Sequence, residues 1–268
     1  MDTKQQNLPL IDAITKHIEK NPISFHVPGH KNGQVFPEQQ RDLFNAILKM
    51  DLTELTGLDD LHQAQEAIKE AQQLTADLSR TDYSSLLVGG STAGNLDMVL
   101  AASEENKPII VQRNSHKSVM NAIELSGARP VFVSPEYEEI TGRYSLVTKE
   151  QILKAIEENR DATAIVLTYP DYFGRTYDLE AIIQVAHSYN IPVLIDEAHG
   201  AHFILGDPFP PSAVTVGADI VVQSAHKMLP AMTMASFLHI KSELIEQEKV
   251  KHFLEILQSS SPSYPLMA

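Results

Sequence analysis

The stretch Asp219-Ile-Val-Val-Gln-Ser-Ala-His-Lys227 decides the reading of this chain. Its apolar residues Ile220, Val221 and Val222 are consecutive rather than alternating, which is the pattern of a strand covered on both faces of a parallel sheet. The strand breaks into a polar turn, Ser224-Ala225-His226, and the amine of Lys227 arrives at its carboxyl edge. An earlier run, Val193-Leu194-Ile195, repeats the design and ends in Asp196.

Working outward, the same strand signature recurs at residues 85–88, 108–112, 130–133, 164–168, 192–195 and 220–223, with one further strand at 235–240. Helices fill several of the intervals. Residues 9–20 place Leu10, Ile14 and Ile18 on one face, with Asn21-Pro22 as the stop. Residues 62–79 carry Ala64, Ala67, Ile68, Ala71, Leu74 and Leu78 at helical spacing. Thr148 and Gln151 are placed for a capping box on a helix over 149–159. Asp178 is the expected N-cap of a helix over 179–189. A helix also runs through Val119 and Ile123, and residues 241–258 read as helical. Strands alternating with helices imply right-handed crossovers and an α/β, doubly wound, mostly parallel sheet of seven strands flanked by helices.

Composition narrows the class of protein. The chain has 268 residues, of which 43% are hydrophobic, enough for a sizeable core. No apolar run approaches the ~20 residues of a spanning helix, so no membrane is expected. The first seven residues lack the apolar stretch of a secretory signal. With no cysteine there are no disulfides and no thiolate metal sites. These features together favour the cytoplasm. A net charge of −14 argues against nucleic acid, whose affinity rests on Lys and Arg neutralising phosphates.

In open α/β sheets ligands lie beyond the carboxyl ends of the strands, so the motifs there carry the chemistry. Val88-Gly-Gly-Ser-Thr-Ala-Gly-Asn95 follows a strand and opens a helix at about Leu96. Ser91, Thr92 and the first helical N–H groups could hold a phosphate at the positive helix end. An ordinary strand-to-helix turn would look the same. Leu194-Ile-Asp-Glu-Ala-His199 also matches the acidic strand end of a helicase-type ATPase, but no P-loop lysine precedes it. His199 and His202 with Asp196 could ligate a metal, although the H-E-x-x-H arrangement is absent. His116, in Arg113-Asn-Ser-His116, is either a cap or surface residue or a ring lying flat on a cofactor. A lysine that can form an imine and an acid that can hold a pyridinium nitrogen are two anchors that pyridoxal 5'-phosphate needs. Lys227, set between Ala225-His226 and Met228-Leu229-Pro230, is expected to be partly buried, which would lower its pKa and help make it nucleophilic.

With these residues assembled, the chain resembles the pyridoxal-phosphate-dependent Orn/Lys/Arg decarboxylase family, of the aspartate aminotransferase fold type. The segments carrying the likeness are Phe25-His-Val-Pro-Gly-His-Lys31, Gly89-Gly-Ser-Thr-Ala-Gly94, Arg113-Asn-Ser-His-Lys117, Thr168-Tyr-Pro-Asp-Tyr-Phe-Gly174, Asp196-Glu-Ala-His199 and Ser224-Ala-His-Lys227. The resemblance implies that Lys227 holds the cofactor covalently, that Asp196 pairs with its ring nitrogen, and that His116 stacks on one ring face with Ala198 on the other. Ser91, Thr92, Ser224 and His226 would hold the phosphate. His199 lies beside the ring, and His30 and Lys31 near the site mouth, without assigned roles. The implied reaction is decarboxylation of lysine, ornithine or arginine, as in polyamine biosynthesis, by a cytoplasmic homodimer or higher homo-oligomer.

The domain expectation follows from the same likeness. It gives an N-terminal helix-and-loop segment at 1–60, a cofactor-binding large domain at 61–258, and a tail at 259–268 with the family's small C-terminal domain absent. The alternative function is a non-catalytic remnant that binds the cofactor or a partner subunit without turnover. Another reaction of the same fold type, such as aldol cleavage or transamination, is the third reading.

Overall fold

A computed structural model describes residues 3–268. The strands are β1 (Tyr83–Leu87), β2 (Pro108–Gln112), β3 (Arg129–Val133), β4 (Tyr137–Glu138), β5 (Arg143–Tyr144), β6 (Ile165–Thr168), β7 (Val193–Asp196), β8 (Ile220–Gln223) and β9 (Ser236–Ile240). The helices are α1 (Pro9–Glu19), α2 (Glu38–Met50), α3 (Ala67–Ser79), α4 (Gly90–Ala102), α5 (Lys117–Ser126), α6 (Lys149–Glu158), α7 (Leu179–Ser188), α8 (Ala225–Met228), α9 (Gln247–Leu257) and α10 (Tyr264–Met267). Residues 1 and 2 of the expected N-terminal segment lie outside the described residues.

Seven strands form one sheet in the order β1-β9-β8-β7-β6-β2-β3, and β4 pairs with β5 in a separate hairpin. Only β9 runs against its neighbours, pairing antiparallel with β1 and β8. Successive strand residues face opposite sides of the sheet. Ile110, Ile165, Leu167, Val193, Ile195 and Val221 therefore pack toward α6 and α7. Ile109, Val111, Val166, Leu194, Ile220 and Val222 pack toward α4, α5 and α9. Both faces are covered, which explains the unbroken apolar runs. A third core joins Leu10 and Ile14 of α1 to Ile68, Leu86, Val88, Tyr264 and Met267.

Two of the expected caps are present as read. Thr148 and Gln151 make the reciprocal capping box, and the Asp178 side chain accepts from Ala181 N. Other boundaries differ from the expectation for local reasons. The helix expected from residue 62 begins at Ala67, because the Asp59 carboxylate collects the backbone amides of Gln65, Glu66 and Ile68 at 2.8–2.9 Å. The helix expected over 241–258 is confined to Gln247–Leu257, since Ser242 turns back to bond Asp219. The helix expected at Leu96 starts at Gly90, directly after the strand. Helix α2 and the β4-β5 hairpin were not anticipated. Among the described residues no helix is long and apolar enough to cross a membrane.

Helix α4 lies unusually close to the sheet. A methyl group added at Gly94 would sit 2.7 Å from Leu87 Cδ1 and 2.8 Å from Val222 Cγ1. The same helix buries Asp97 completely, and neither of its carboxylate oxygens has a hydrogen-bond partner among the described residues. Burial pushes this carboxyl well above its usual range. The folded state then binds the proton more tightly than the unfolded chain, whose aspartate titrates at about 3.9. Stability from this group is complete below that pH and falls as pH rises toward the raised folded value, by up to about 1.4 kcal/mol per pH unit. Asp97→Asn removes the dependence. Its melting temperature should exceed wild type by a margin that widens between about pH 4 and pH 8. A margin that stays flat across that range would show that Asp97 ionises without cost.

Candidate active site

The crossovers from β2 and β6 leave to opposite faces of the sheet, so these adjacent strands part at a switch point. A cavity of about 170 Å³ opens there, beyond the carboxyl ends of the strands. Each strand end delivers a side chain to it: Ser91 after β1, His116 after β2, Thr168 at the end of β6, Asp196 and Ala198 from β7, and Lys227 after β8.

Asp196 is buried and held from two directions. Its Oδ1 accepts from Ala198 N at 3.1 Å, and its Oδ2 accepts from Asn95 Nδ2 at 2.9 Å. The same Asn95 amide donates to Ser118 Oγ at 2.9 Å, which lies 2.8 Å from His116 Nδ1. His116 is the N-cap of α5, with its Nδ1 accepting from Ser118 N. An acceptor at Nδ1 puts the proton of the neutral ring on Nε2. Both readings of His116 thus coexist: it caps a helix and its ring lines the cavity. Asn95 Oδ1 is buried with no partner among the described residues, a cost of about 1–3 kcal/mol that folds accept chiefly where function dictates geometry.

Lys227 differs from the expectation of partial burial. It projects from the short helix α8 into the open side of the cavity and is exposed. Its Nζ lies 3.4 Å from His199 Nε2. Burial, then the charge of Lys227, hold His199 below its usual pKa, against the opposite pull of Asp196. A neutral His199 can accept a hydrogen bond from the lysine at that distance. Tyr172 packs its edge against His199, with ring centroids 5.8 Å apart.

The four residues read as phosphate ligands separate in the structure. Ser91 lines the cavity, and Ser224, fully buried behind it, donates to Ser91 Oγ at 2.7 Å. Thr92 is exposed on the first turn of α4 and does not line the cavity. His226 turns away, its Nδ1 3.1 Å from the Ala235 carbonyl. Helix α4 has no side-chain cap, so its first-turn amides remain available beside Ser91. His30 and Lys31 are not in the cavity: His30 pairs with Asp51 at 3.1 Å, and Lys31 bonds the His26 carbonyl. Among the described residues no group of three His, Cys, Asp or Glu could hold a metal, and His202 packs between Phe203 and Phe209.

Sequence reasoning passed over several residues in the cavity wall or, like Asn95, behind it. Asn95 stands one turn after Ser91, and that i, i+4 spacing was the available signal. Tyr144, from the hairpin, and Arg175 line the cavity and gave no local signal, while Asp171, paired with Arg175 at 2.7 Å, lines it from within the Thr168–Gly174 segment, where the resemblance assigns it no role.

Comparison with known proteins now bears on the chain. The family model described as "Orn/Lys/Arg decarboxylase, major domain" matches residues 8–268. The uncharacterized protein YaaO of Bacillus subtilis (strain 168) is 52% identical over 263 residues, covering 98% of this chain and 55% of that protein. An arginine decarboxylase of Bacillus anthracis is 41% identical, over 98% of this chain and 54% of its own length. The chain therefore spans about half the length of these relatives. Among solved structures, the Francisella novicida lysine decarboxylase superposes with a TM-score of 0.85 at 25% identity, covering 98% of this chain and 39% of that one. The Escherichia coli constitutive lysine decarboxylase, at 23% identity and a TM-score of 0.84, covers 97% of this chain and 39% of its own and shares the fold. A match that runs from residue 8 to the last residue, with relatives above 40% identity, fixes the lineage: the chain belongs to the Orn/Lys/Arg decarboxylase family, as its major domain.

Proposed function

We propose that this protein binds pyridoxal 5'-phosphate at the strand-end cavity and decarboxylates a basic amino acid, with arginine as the first candidate. The observation that carries the proposal is that Lys227 and Asp196 line one cavity, together with Ser91, His116 and Ala198. The arginine preference is supported by relatives at 36–41% identity that are arginine decarboxylases, against 24–25% for the lysine decarboxylases.

The residues suit the cofactor on chemical grounds. Lys227 supplies the amine for an aldehyde, and the doubly bonded Asp196 supplies an acceptor for a ring N–H. Ser91, backed by Ser224, and the uncapped first turn of α4 offer donors to a phosphate. When bound, the cofactor supplies the electron sink for decarboxylation. The chain does the remainder. Asp196 would hold a proton on the ring nitrogen, His116 would offer the ring an imidazole fixed by Ser118, and His199 would accept a hydrogen bond from the Lys227 amine. Ala198 presents a small apolar contact on the other side. Exposed apolar side chains such as Ile23, Phe25 and Val35 offer cover for a second subunit, and a homodimer is part of the proposal.

Adding the cofactor to purified protein should produce the absorbance band of a lysine-bound pyridoxal. Arginine, ornithine or lysine should then release carbon dioxide and the matching amine, with arginine fastest. Absence of the band would overturn the proposal. A band without carbon dioxide release would favour the non-catalytic reading, and product masses that retain the carboxylate would favour another reaction of the fold type.

A further inference from the structure

Directly beside the anchor Asp196 stands a second acid that the chemistry above does not use. Glu197 is fully buried, and its carboxylate is met by three donors. Ala213 N reaches Oε1 at 2.7 Å, while Ser212 Oγ at 2.7 Å and Gln223 Nε2 at 2.5 Å reach Oε2. Gln223 is the last residue of β8, immediately before Ser224. Its Oε1 lies 3.1 Å from His239 Nε2, and His239 Nδ1 lies 2.7 Å from Ser84 Oγ.

The directions of these bonds are determined. Burial pushes His239 down to about 4, so the ring is neutral and carries one proton. Gln223 spends its N–H on Glu197, which leaves its oxygen to accept from His239 Nε2–H. His239 Nδ1 then accepts from the Ser84 hydroxyl. Every bond points toward Glu197, a polarised chain that ends on a carboxylate. Burial pushes that carboxyl up to about 7, with the three donors opposing the shift.

The position of the bond matters most. The β7-β8 ladder pairs Asp196 with Val222 and ends with Glu197 N donating to the Val222 carbonyl. Beyond that point the two strand ends diverge into the turns that carry Ala198 and Lys227. The Glu197–Gln223 bond spans this gap. We propose that Glu197 is a positioning residue, whose bond to Gln223 fixes the spacing between the strand end bearing Asp196 and the one bearing Ser224 and Lys227. The proposal rests on the cofactor reading above.

The test uses the purified protein at about pH 8, where the Glu197 carboxylate is largely ionised. Gln223→Met leaves Ser212 and Ala213 N on Glu197, removes the link between strand ends and also takes away the acceptor of His239 Nε2–H. The apo-protein should keep its cooperative unfolding, while its dissociation constant for pyridoxal 5'-phosphate rises about 10- to 100-fold, the scale of a charged hydrogen bond. The visible circular dichroism of the bound cofactor should change too, because the ring sits differently against Asp196. Glu197→Met should behave alike, and the double variant should be no worse than either single one. In Glu197→Gln the Gln223 amide, the His239 ring and the Ser84 hydroxyl can reverse together, so the link survives and affinity stays close to wild type.

Wild-type affinity and dichroism in either Met variant would overturn the proposal, as would additive losses in the double variant. Should a Met variant fail to fold, Gln223→Asn shortens the reach by one methylene and carries the same expectation. A wild-type protein that fails to bind the cofactor overturns the cofactor reading and this inference together. Binding by wild type and variants alike removes the inference alone.

Discussion

Lys227→Ala should abolish the absorbance band of the lysine-bound cofactor and lower decarboxylation on the order of 10⁴-fold or more, the scale seen when a covalent catalytic group is deleted. The folded structure should be unaffected. Lys227 is exposed, its only side-chain contact among those described is His199 at 3.4 Å, and helix α8 is held by backbone bonds such as Leu229 N to the Ala225 carbonyl. Loss of activity with an unchanged melting temperature thus separates chemistry from folding. Added small amines should restore part of the turnover by replacing the missing side chain. If the alanine variant keeps the band, another lysine anchors the cofactor and the site assignment falls.

The second large effect is expected at Asp196. Asp196→Asn keeps the size of the side chain but replaces an acceptor-only carboxylate with a neutral amide. One of its two present bonds, from Asn95 or from Ala198 N, then meets a donor. The lysine-bound band should still form, because Lys227 comes from a different strand. Turnover should fall about 10²- to 10³-fold, the usual scale for losing one preorganised electrostatic partner of the reacting group. Single-turnover measurements with saturating cofactor isolate this from weaker binding. Turnover within a few-fold of wild type would show that the ring nitrogen has another partner.

Much of the sheet was legible because its strands are buried on both faces and read as plain apolar runs. Pro108–Gln112 and Ile220–Gln223 fall where the sequence placed them. Helix α2 was missed although Leu43, Phe44, Ile47 and Leu48 recur at helical spacing; of these the structure buries only Leu48 and leaves Leu43 and Phe44 exposed. The β4-β5 hairpin has two-residue strands, too short for any alternation to register. Asp59 defeated the periodicity before α3 by binding amides that a helix would otherwise use.

The site divides in the same way. Residues at strand ends, Ser91, His116, Asp196, Ala198 and Lys227, could be placed from one dimension, because a parallel sheet gathers its carboxyl ends. Side-chain orientation could not. Thr92 and His226 belong to the right turns but point away from the cavity, and the exposure of Lys227 follows from the open side on which α8 sits. The Asn95 and Glu197 contacts join segments far apart in the chain, and only the sheet register brings them together.

The Asn95 amide, shared between Asp196 and Ser118, carries a lesson for anyone hoping to redesign this site. Because one planar group serves Asp196 and, through Ser118, the His116 imidazole, neither can be retuned alone. A graft into another scaffold, or a library aimed at new substrates, would have to vary these four positions jointly, and screens that sample them one at a time should return mostly dead variants.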